Sequence, residues 1–226
     1  MDGEPRTRKR PSRRHARPPS RDRLLAAARE EFARRGFDGA TVDRIAARAR
    51  LNKAMLYYHF HSKADLYREI LRALFRGVAD AVTAVQAAGG APEVRLRGFA
   101  AAVAHHGVDQ PHFPAIWLRE MADGGRHLDG SIIAEIARVL ATLSAILADG
   151  RRAGRFRAAN PFLTHMGIVA PVMFFAASAP VRRRFGRASR QNVEPPPEAL
   201  LAYVQQSALA ALAPAGHGAA PPEELR

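Results

Sequence analysis

The sequence predicts an all-α fold, and the spacing of its apolar residues is the main reason. Ala, Leu, Ile and Val dominate the 47% of apolar residues and recur every three or four positions, as they do along one face of a helix. Residues that start or stop helices separate these stretches. The sequence contains no alternating apolar–polar strand pattern, no repeat and no Asn-Gly hairpin signal. Helices are therefore expected along the ordered chain.

Three short helices are predicted near the N-terminus. They cover residues 21–35, 42–49 and 53–58. Ser20, Thr41 and Asn52 are the expected N-caps, because their side-chain oxygens can accept hydrogen bonds from the first turn. Gly36 stands where the first helix should end. The second and third helices, joined by a tight turn, have the pattern of a helix-turn-helix, which can place its second helix in the major groove of DNA.

Longer helices are predicted in the rest of the chain. The segment Ser62–Asp65 has the pattern of a capping box, and the helix that it opens should stop at Gly89. Later helices are predicted over residues 92–107, 114–121, 131–150, 161–178 and 197–212. Pro180 is expected to stop the helix before it. Solvent-exposed arginines in loops are expected at residues 151–152 and 182–184.

The charge distribution indicates a polyanionic partner, with nucleic acid as the first candidate. The net charge is +14, and the segment 5–21 holds eight basic residues and no acidic ones. A genome that prefers Arg, with the charge serving only solubility, is the alternative explanation. The predicted organisation is a disordered basic arm (1–20), a helix-turn-helix domain (21–66), a helical domain (67–214) and a flexible tail (215–226).

Several other classes of protein are disfavoured by the sequence. The absence of cysteine excludes disulfides and thiolate metal sites, and it fits a cytoplasmic protein. Neither a signal peptide nor a membrane span is expected. The adjacent His105 and His106 would point about 100° apart on a helix and would rarely share a metal ion. Motifs typical of hydrolases, zinc proteases and nucleotide-binding loops are absent, so neither an enzyme nor a cofactor is expected.

The segment 41–63 carries the functional signal. Side chains that can bond to phosphates or base edges lie close together in and around its last short helix: Asn52, Lys53, Tyr57, Tyr58 and His59. Leu51 and Leu56 would anchor that helix from beneath. An aromatic patch that closes a small core is the alternative interpretation of residues 57–59.

Many residues around this segment match one family at fixed offsets. They are Phe32, Gly36, Phe37, Thr41, Ile45, Ala46, Leu51, Lys53, Leu56, Tyr57, Phe60, Ser62, Lys63 and Leu66. In these positions the segment 24–71 resembles the DNA-binding domain of TetR-type regulators. The resemblance implies DNA contacts from Thr41, Asp43, Arg44, Asn52, Lys53, Ala54, Met55, Tyr57, Tyr58, His59 and Lys63. Among these, Tyr57, His59 and Lys63 would bind phosphate, Lys63 from the N-terminus of the fourth helix.

Two residues depart from the family pattern. Arg50 occupies a turn position that is usually Gly, where φ tends to be positive, and a side chain there costs about 1 kcal/mol. Met55 replaces the common Ser or Thr, and it would offer apolar contact to a thymine methyl instead of a hydrogen bond. The operator sequence is therefore open.

The resemblance also implies that the second domain binds a ligand and forms a homodimer. Candidate pocket residues are Phe99, His105, His106, Phe113, Trp117, Met121, His165, Met173 and Phe174, although core packing is the favoured interpretation of each. The dimer interface is expected on the helices over 161–178 and 197–212. Its apolar surface would come from Val169, Val172, Met173, Leu201, Val204 and Leu209.

Taken with the charge, the resemblance implies a DNA-binding transcriptional regulator. It would be a repressor that leaves a palindromic double-stranded operator when a small-molecule effector binds near Trp117. The effector is expected to be apolar or aromatic. An architectural DNA-binding protein without ligand control is the alternative.

Overall fold

The computed structural model describes residues 19–214, so most of the predicted basic arm and the predicted tail lie outside the described residues. Every regular element in this range is an α-helix, which confirms the all-α fold. The helices are α1 (Ser20–Gly39), α2 (Val42–Ala49), α3 (Lys53–His59), α4 (Lys63–Ala88), α5 (Pro92–Asp109), α6 (Phe113–Ala122), α7 (Gly130–Arg152), α8 (Pro161–Ala177), α9 (Ala179–Ser189) and α10 (Pro197–Leu212).

Side-chain caps define the starts of three of the first four helices. The Thr41 hydroxyl accepts a hydrogen bond from the Arg44 backbone N–H at 3.3 Å, and the Asn52 side chain accepts one from Met55 at 2.9 Å. Ser62 caps α4 by accepting a hydrogen bond from the Asp65 N–H at 3.0 Å. Each cap of this type contributes about 1 kcal/mol. The structure confirms these three predicted caps.

The start of α1 differs from the prediction. The helix begins at Ser20 itself, its N-cap is Pro19, and no side chain caps it. The prediction that Ser20 is the N-cap is therefore wrong. Its hydroxyl lies 2.6 Å from Nε2 of His59 at the end of α3, so it ties α1 to that helix instead. Gly36, with φ of 70°, interrupts α1 where its end is predicted, and a final turn follows it.

One helix, α9, is absent from the sequence prediction. Pro180 does not simply end α8; it is the second residue of α9, and the axes of α8 and α9 differ by 65°. A proline in the first turn of a helix sacrifices no hydrogen bond, so the residue that stops one helix can begin the next. The expectation of a loop after Pro180 is wrong.

The arginines predicted as loop charge lie on helices. Arg151 and Arg152 form the last turn of α7. Arg182, on α9, donates hydrogen bonds to the Ser178 hydroxyl at 2.8 Å and to the Val193 carbonyl at 3.3 Å. Its guanidinium lies 3.6 Å from the centre of the Phe175 ring. These contacts hold the bend between α8 and α9, so Arg182 is a structural residue.

A continuous core joins the N-terminal helices to the rest of the chain. Helix α4 packs along α7, and α5, α8 and α10 complete the bundle around them. The buried face of α4 holds Leu66, Ile70, Leu71, Leu74 and Val82, and that of α7 holds Ile132, Val139, Leu143 and Ile146. The same core includes Leu24, Phe32, Ile45 and Leu56 from α1–α3. Because α4 begins beside α1 and runs into the bundle, it connects the two regions mechanically.

Within the described range, α7 is long and apolar enough to cross a membrane by length and composition alone, as is the bent α8–α9 pair taken together. In the structure, the apolar residues of α7 instead line the protein core. Glu135 and Arg138 of the same helix form ion pairs with Arg76 and Asp80 of α4. The packing of α7 accounts for its apolar composition.

Three residues predicted to form the dimer interface are buried inside the single chain. Val172, Met173 and Val204 are each at most 4% exposed. They face the core because α8 and α10 pack against each other and against α5. The assignment of these three residues to an interface is therefore wrong. Val169, Leu201 and Leu209 are half-buried and also pack against the core.

Candidate nucleic-acid interface and internal cavity

A tight left-handed turn sets the angle between α2 and α3. Arg50 has φ of 54° and ψ of 44°, and the N–H groups of Arg50 and Leu51 bond back to carbonyls of α2 at 3.0 and 2.9 Å. The turn therefore keeps the positive φ expected at this position, although the residue is not glycine. Arg23 of α1 donates to the carbonyls of Ala49 and Arg50 at 2.6 and 3.0 Å. This second set of bonds holds the strained turn in place.

Helix α3 is anchored on one side and exposed on the other. Leu56 is fully buried and Phe60 nearly so, which fixes the helix against α1 and α2. Most of the predicted DNA-contacting residues of α2 and α3 are exposed: Thr41, Asp43, Arg44, Asn52, Lys53, Ala54, Tyr57 and Tyr58, with Met55 and His59 half-buried. Tyr58 is 80% exposed. An aromatic patch that closes a core is therefore not formed by Tyr57 and Tyr58.

Some of these exposed residues already have partners inside the protein. The Lys53 ammonium lies 3.1 Å from the Asp43 carboxylate, and Arg44 donates to the Gly39 carbonyl at 3.3 Å. His59 is held by Ser20. Pairs in such exposed positions contribute little to stability and exchange readily for phosphate oxygens. The arrangement keeps long side chains ordered close to where DNA would lie.

Lys63, a predicted phosphate ligand, is held by partners within the protein. Its ammonium donates to the carbonyls of Phe37 and Ala40 at 2.9 and 3.0 Å and lies 4.2 Å from the centre of the Phe37 ring. The carbonyls at the end of α1 lack helical partners, and a cation satisfies them well. In the structure without DNA, the ammonium predicted to bind phosphate thus has structural partners. The helix dipole at the start of α4 favours an anion there, but it does not indicate a hydrogen-bond partner 26 residues away in the sequence, the Phe37 carbonyl.

A buried group of side chains connects the first three helices to α6 and the loop after it. We call Phe37, Tyr67, Glu120 and His127 the junction cluster. The ring of His127 lies 4.1 Å from that of Phe37 and 4.9 Å from that of Tyr67. Glu120 is fully buried and accepts hydrogen bonds from the His127 backbone at 2.7 Å and its ring at 2.9 Å. Burial, together with the Glu120 carboxylate, raises the pKa of Tyr67 far above its usual value.

An exposed ion pair covers the junction cluster. Arg126 binds the Asp38 carboxylate at 2.5 Å and stacks 5.8 Å from the Phe37 ring. The hydrogen bond from Arg126 lowers the pKa of Asp38. Sequence reasoning missed this junction, because His127 lies in a loop without hydrophobic periodicity and its partners are distant in the chain.

The second region contains a cavity of about 200 Å³, partly open to solvent, between α4, α5, α6, α7 and α8. Five of the predicted pocket residues line it: Phe113, Trp117, Met121, His165 and Met173. The remaining lining side chains are apolar, among them Phe75 of α4, whose ring meets that of Trp117 edge-on at 4.8 Å. The cavity thus touches both α4 and α6, which carry two members of the junction cluster, Tyr67 and Glu120.

Three predicted pocket residues lie elsewhere. Phe99 is fully buried behind His165, at 6.3 Å between ring centres, and does not line the cavity. His106 packs against Phe113 and points at Gly77 of α4, and burial lowers its pKa. Phe174 is 72% exposed. Helical periodicity gives the faces of α5 and α8 but not which face meets a neighbour, so these predictions are wrong.

His105 is also outside the cavity, on the exposed side of α5. Among residues 19–214, no three His, Asp or Glu side chains come close enough together to hold a metal ion.

Two family models match the chain. The model described as "Bacterial regulatory proteins, tetR family" matches residues 24–70, and "Tetracyclin repressor-like, C-terminal domain" matches residues 92–192. Together they cover more than half of the chain and both of its regions. The first match coincides with α1–α4, where the exposed helix α3 lies, and the second contains most of the cavity lining.

Known proteins are similar in sequence and in fold. The HTH-type transcriptional repressor NicS of Pseudomonas putida is 29% identical over 140 residues, 61% of this chain and 66% of that protein. The HTH-type transcriptional repressor SCO4008 of Streptomyces coelicolor is 47% identical over 49 residues, 22% of this chain and 26% of that protein. The chain thus aligns with less than two thirds of the length of these relatives.

The crystal structure of a tetR-family regulatory protein from Rhodococcus RHA1 has the same fold. The TM-score is 0.73 at 21% identity, over 87% of this chain and 98% of that one. The fold and the exposed α3 define a helix-turn-helix protein with a second, helical domain. The chain belongs to the TetR family of bacterial regulatory proteins, with a helix-turn-helix domain followed by a tetracyclin repressor-like C-terminal domain.

Proposed function

We propose that the protein is a repressor that binds a palindromic operator as a homodimer and leaves it when a small molecule fills the cavity. One observation carries the proposal: the cavity and the DNA-binding helices are linked through α4, α6 and the junction cluster. An architectural protein without ligand control would need no such apolar cavity. No cofactor enters this proposal, and we place the protein in the cytoplasm.

The proposed DNA-contacting surface is the exposed side of α2 and α3. Tyr57, His59 and Thr41 are positioned to bind phosphates, while Asn52, Lys53, Ala54 and Met55 face the bases in the major groove. Asp43, Arg44 and Tyr58 contribute at the edges of this surface. Lys63 is left out, because its ammonium is held by the end of α1.

The proposed dimer face consists of exposed apolar residues on α8 and α9. Phe174 is 72%, Val181 68% and Phe185 54% exposed, and Val181 and Phe185 stand four residues apart on one face of α9. Monomeric proteins rarely expose apolar groups of this size in one area. A two-fold pairing of this face would present two copies of α3 to a palindrome.

Sedimentation of variants tests the dimer face. We expect Phe185→Glu to sediment as a monomer and to bind DNA weakly. The control is Ile133→Glu, which places the same charge at an exposed apolar position of α7. A dimeric Phe185→Glu variant, or a monomeric Ile133→Glu variant, would move the interface elsewhere.

We propose that the junction cluster transmits the signal. Trp117 and Met121 line the cavity on α6, and Glu120 of the same helix holds His127 against Phe37. A ligand that favours a shifted α6 also shifts the support of α1 and α4, and with it the distance between the two α3 helices of a dimer. Such a ligand acts only through its different affinity for the two arrangements.

The test is selection of bound fragments from random-sequence DNA, followed by footprinting and anisotropy titration. We expect one symmetric footprint and at least tenfold weaker binding by Tyr58→Ala. The matched control is Tyr203→Ala, which removes another exposed tyrosine, from α10. Uniform coating of DNA without a footprint, or equal losses from the two variants, would favour the architectural alternative.

A further inference from the structure

The cavity described above restricts the chemistry of its ligand by size. At about 200 Å³ it is smaller than the pockets of about 300–1,000 Å³ that hold drug-sized molecules. An engineered apolar cavity of about 150 Å³ in another protein holds benzene. The space here therefore fits one ring with one or two short substituents.

The lining of the cavity excludes a charged ligand. None of the residues that line it is an Asp, Glu, Lys or Arg. An ionised carboxylate or ammonium moved into this space would lose its hydration without gaining a counter-charge, which is strongly unfavourable. Aromatic rings supply much of the wall, with Phe75 meeting both Phe113 and Trp117 edge-on at 5.5 and 4.8 Å. A flat, uncharged ring is the shape and chemistry that such walls favour.

One polar group in the wall lacks a partner. The Nδ1 atom of His165 is buried and has no hydrogen-bond partner in the described structure. Burial lowers the pKa of His165, so its ring is neutral at physiological pH. A neutral imidazole nitrogen either donates or accepts one hydrogen bond, depending on the tautomer. Leaving such an atom unpaired is unfavourable, and a hydroxyl can satisfy either tautomer because it both donates and accepts.

We infer that the cavity binds an uncharged, single-ring aromatic molecule bearing one hydroxyl group, and that His165 is the residue that selects for the hydroxyl. This inference rests on the proposed function, because it names the chemical class of the effector for the same cavity. Trp117, the only tryptophan of the chain, reports occupancy directly.

Three probes of similar size separate the features of this ligand: p-cresol, toluene and 4-hydroxybenzoate. The measurements are calorimetric titration of the full chain without DNA and Trp117 emission. We expect p-cresol to bind once per protomer and to change Trp117 emission, toluene to bind at least fivefold more weakly, and 4-hydroxybenzoate not to bind. Binding of 4-hydroxybenzoate that is as tight as that of p-cresol, or no binding of p-cresol, would overturn the inference.

His165→Phe tests the selecting residue. It keeps an aromatic ring in the wall and removes the unpaired nitrogen, so the preference for p-cresol over toluene should disappear while toluene still binds. The control is His105→Phe, which changes an exposed histidine of α5 outside the cavity and should keep the preference. A preference that survives in His165→Phe would show that another group recognises the hydroxyl.

Failure of the proposed ligand class and failure of the proposed function give different results. If p-cresol binds with the expected selectivity but leaves the operator complex intact, the ligand class stands and release by the cavity ligand fails. If the operator complex forms but only charged aromatics bind the cavity and dissociate it, the repressor proposal stands and the ligand class fails.

Discussion

The two regions of this protein are stabilised in different ways. In α1–α3, side-chain caps and the Arg23 bonds to the turn fix a small unit, and the polar residues of α3 point outward. In the bundle of α4–α10, long-range packing forms a cavity, and His106 and His165 each keep a buried ring nitrogen without a partner. The first region is prepared for a partner on its surface, and the second for a partner in its interior. The junction cluster is where the two meet.

The largest expected effect on stability comes from removing a side chain of the junction cluster. Glu120→Ala leaves two donors of His127 without an acceptor in a buried site, and the free energy of unfolding should fall by about 3 kcal/mol. Urea denaturation measures this change. Glu198→Ala, at an exposed position of α10, is the control and should change stability by less than about 0.5 kcal/mol. A small effect at Glu120 would mean that the two regions are stabilised independently.

Substitutions of Lys63 and Lys53 separate a lysine that stabilises the fold from a lysine that contacts DNA. Lys63→Met should lower the free energy of unfolding by about 1.5 kcal/mol, because its ammonium bonds two carbonyls of the α1 end. Lys53→Met should leave stability nearly unchanged and weaken binding to the operator, because its ammonium faces the bases. The salt dependence of DNA binding falls by about 0.9 only for each lost phosphate contact, or about twice that in a dimer. If Lys63→Met keeps the wild-type free energy of unfolding but shows a reduced salt dependence of DNA binding, Lys63 contacts DNA.

Relieving the strain in the turn at Arg50 should have a smaller effect on the free energy of unfolding, and it should raise it. Arg50→Gly should raise the free energy of unfolding by about 1 kcal/mol, since glycine adopts positive φ without strain. Arg50→Ala removes the same guanidinium but keeps a Cβ, and it should bring no gain. Thermal denaturation of the two variants measures the difference. Equal stabilities would mean that the turn carries no conformational strain.

The smallest effect is a pH dependence of the bundle. Burial lowers the folded pKa of His106 and His165 below their unfolded values, so the unfolded chain binds more protons under acidic conditions. Stability is therefore complete above the unfolded pKa, near 6.5, and is lost as the pH falls toward the lowered folded pKa values. Urea denaturation at pH 7.5 and 5.5 should show this loss, and the double variant His106→Phe/His165→Phe should show less of it. An equal loss in both proteins would assign the pH dependence to other groups.

The same contrast explains how far sequence reasoning reached. Thr41, Asn52 and Ser62 are recognisable as caps because a cap acts within three residues of itself. The sequence predicts a phosphate contact for Lys63 from its place at the N-terminus of α4. It does not indicate the carbonyls that hold the ammonium, because they come from another helix. The cavity is formed by five helices, so periodicity could nominate Trp117 and His165 but could not exclude Phe99, which faces the other way into the core.

The cavity also bears on how long the protein survives in a cell. An unfilled apolar space lowers the stability of the free protein, and proteases degrade whatever fraction unfolds. An effector at 100 times its Kd would stabilise the folded form by about 2.7 kcal/mol, which reduces that fraction roughly a hundredfold. The compound that releases the operator would then also slow degradation of the released protein. A larger stock of repressor would accumulate during induction, and the genes would be silenced quickly once the compound is consumed.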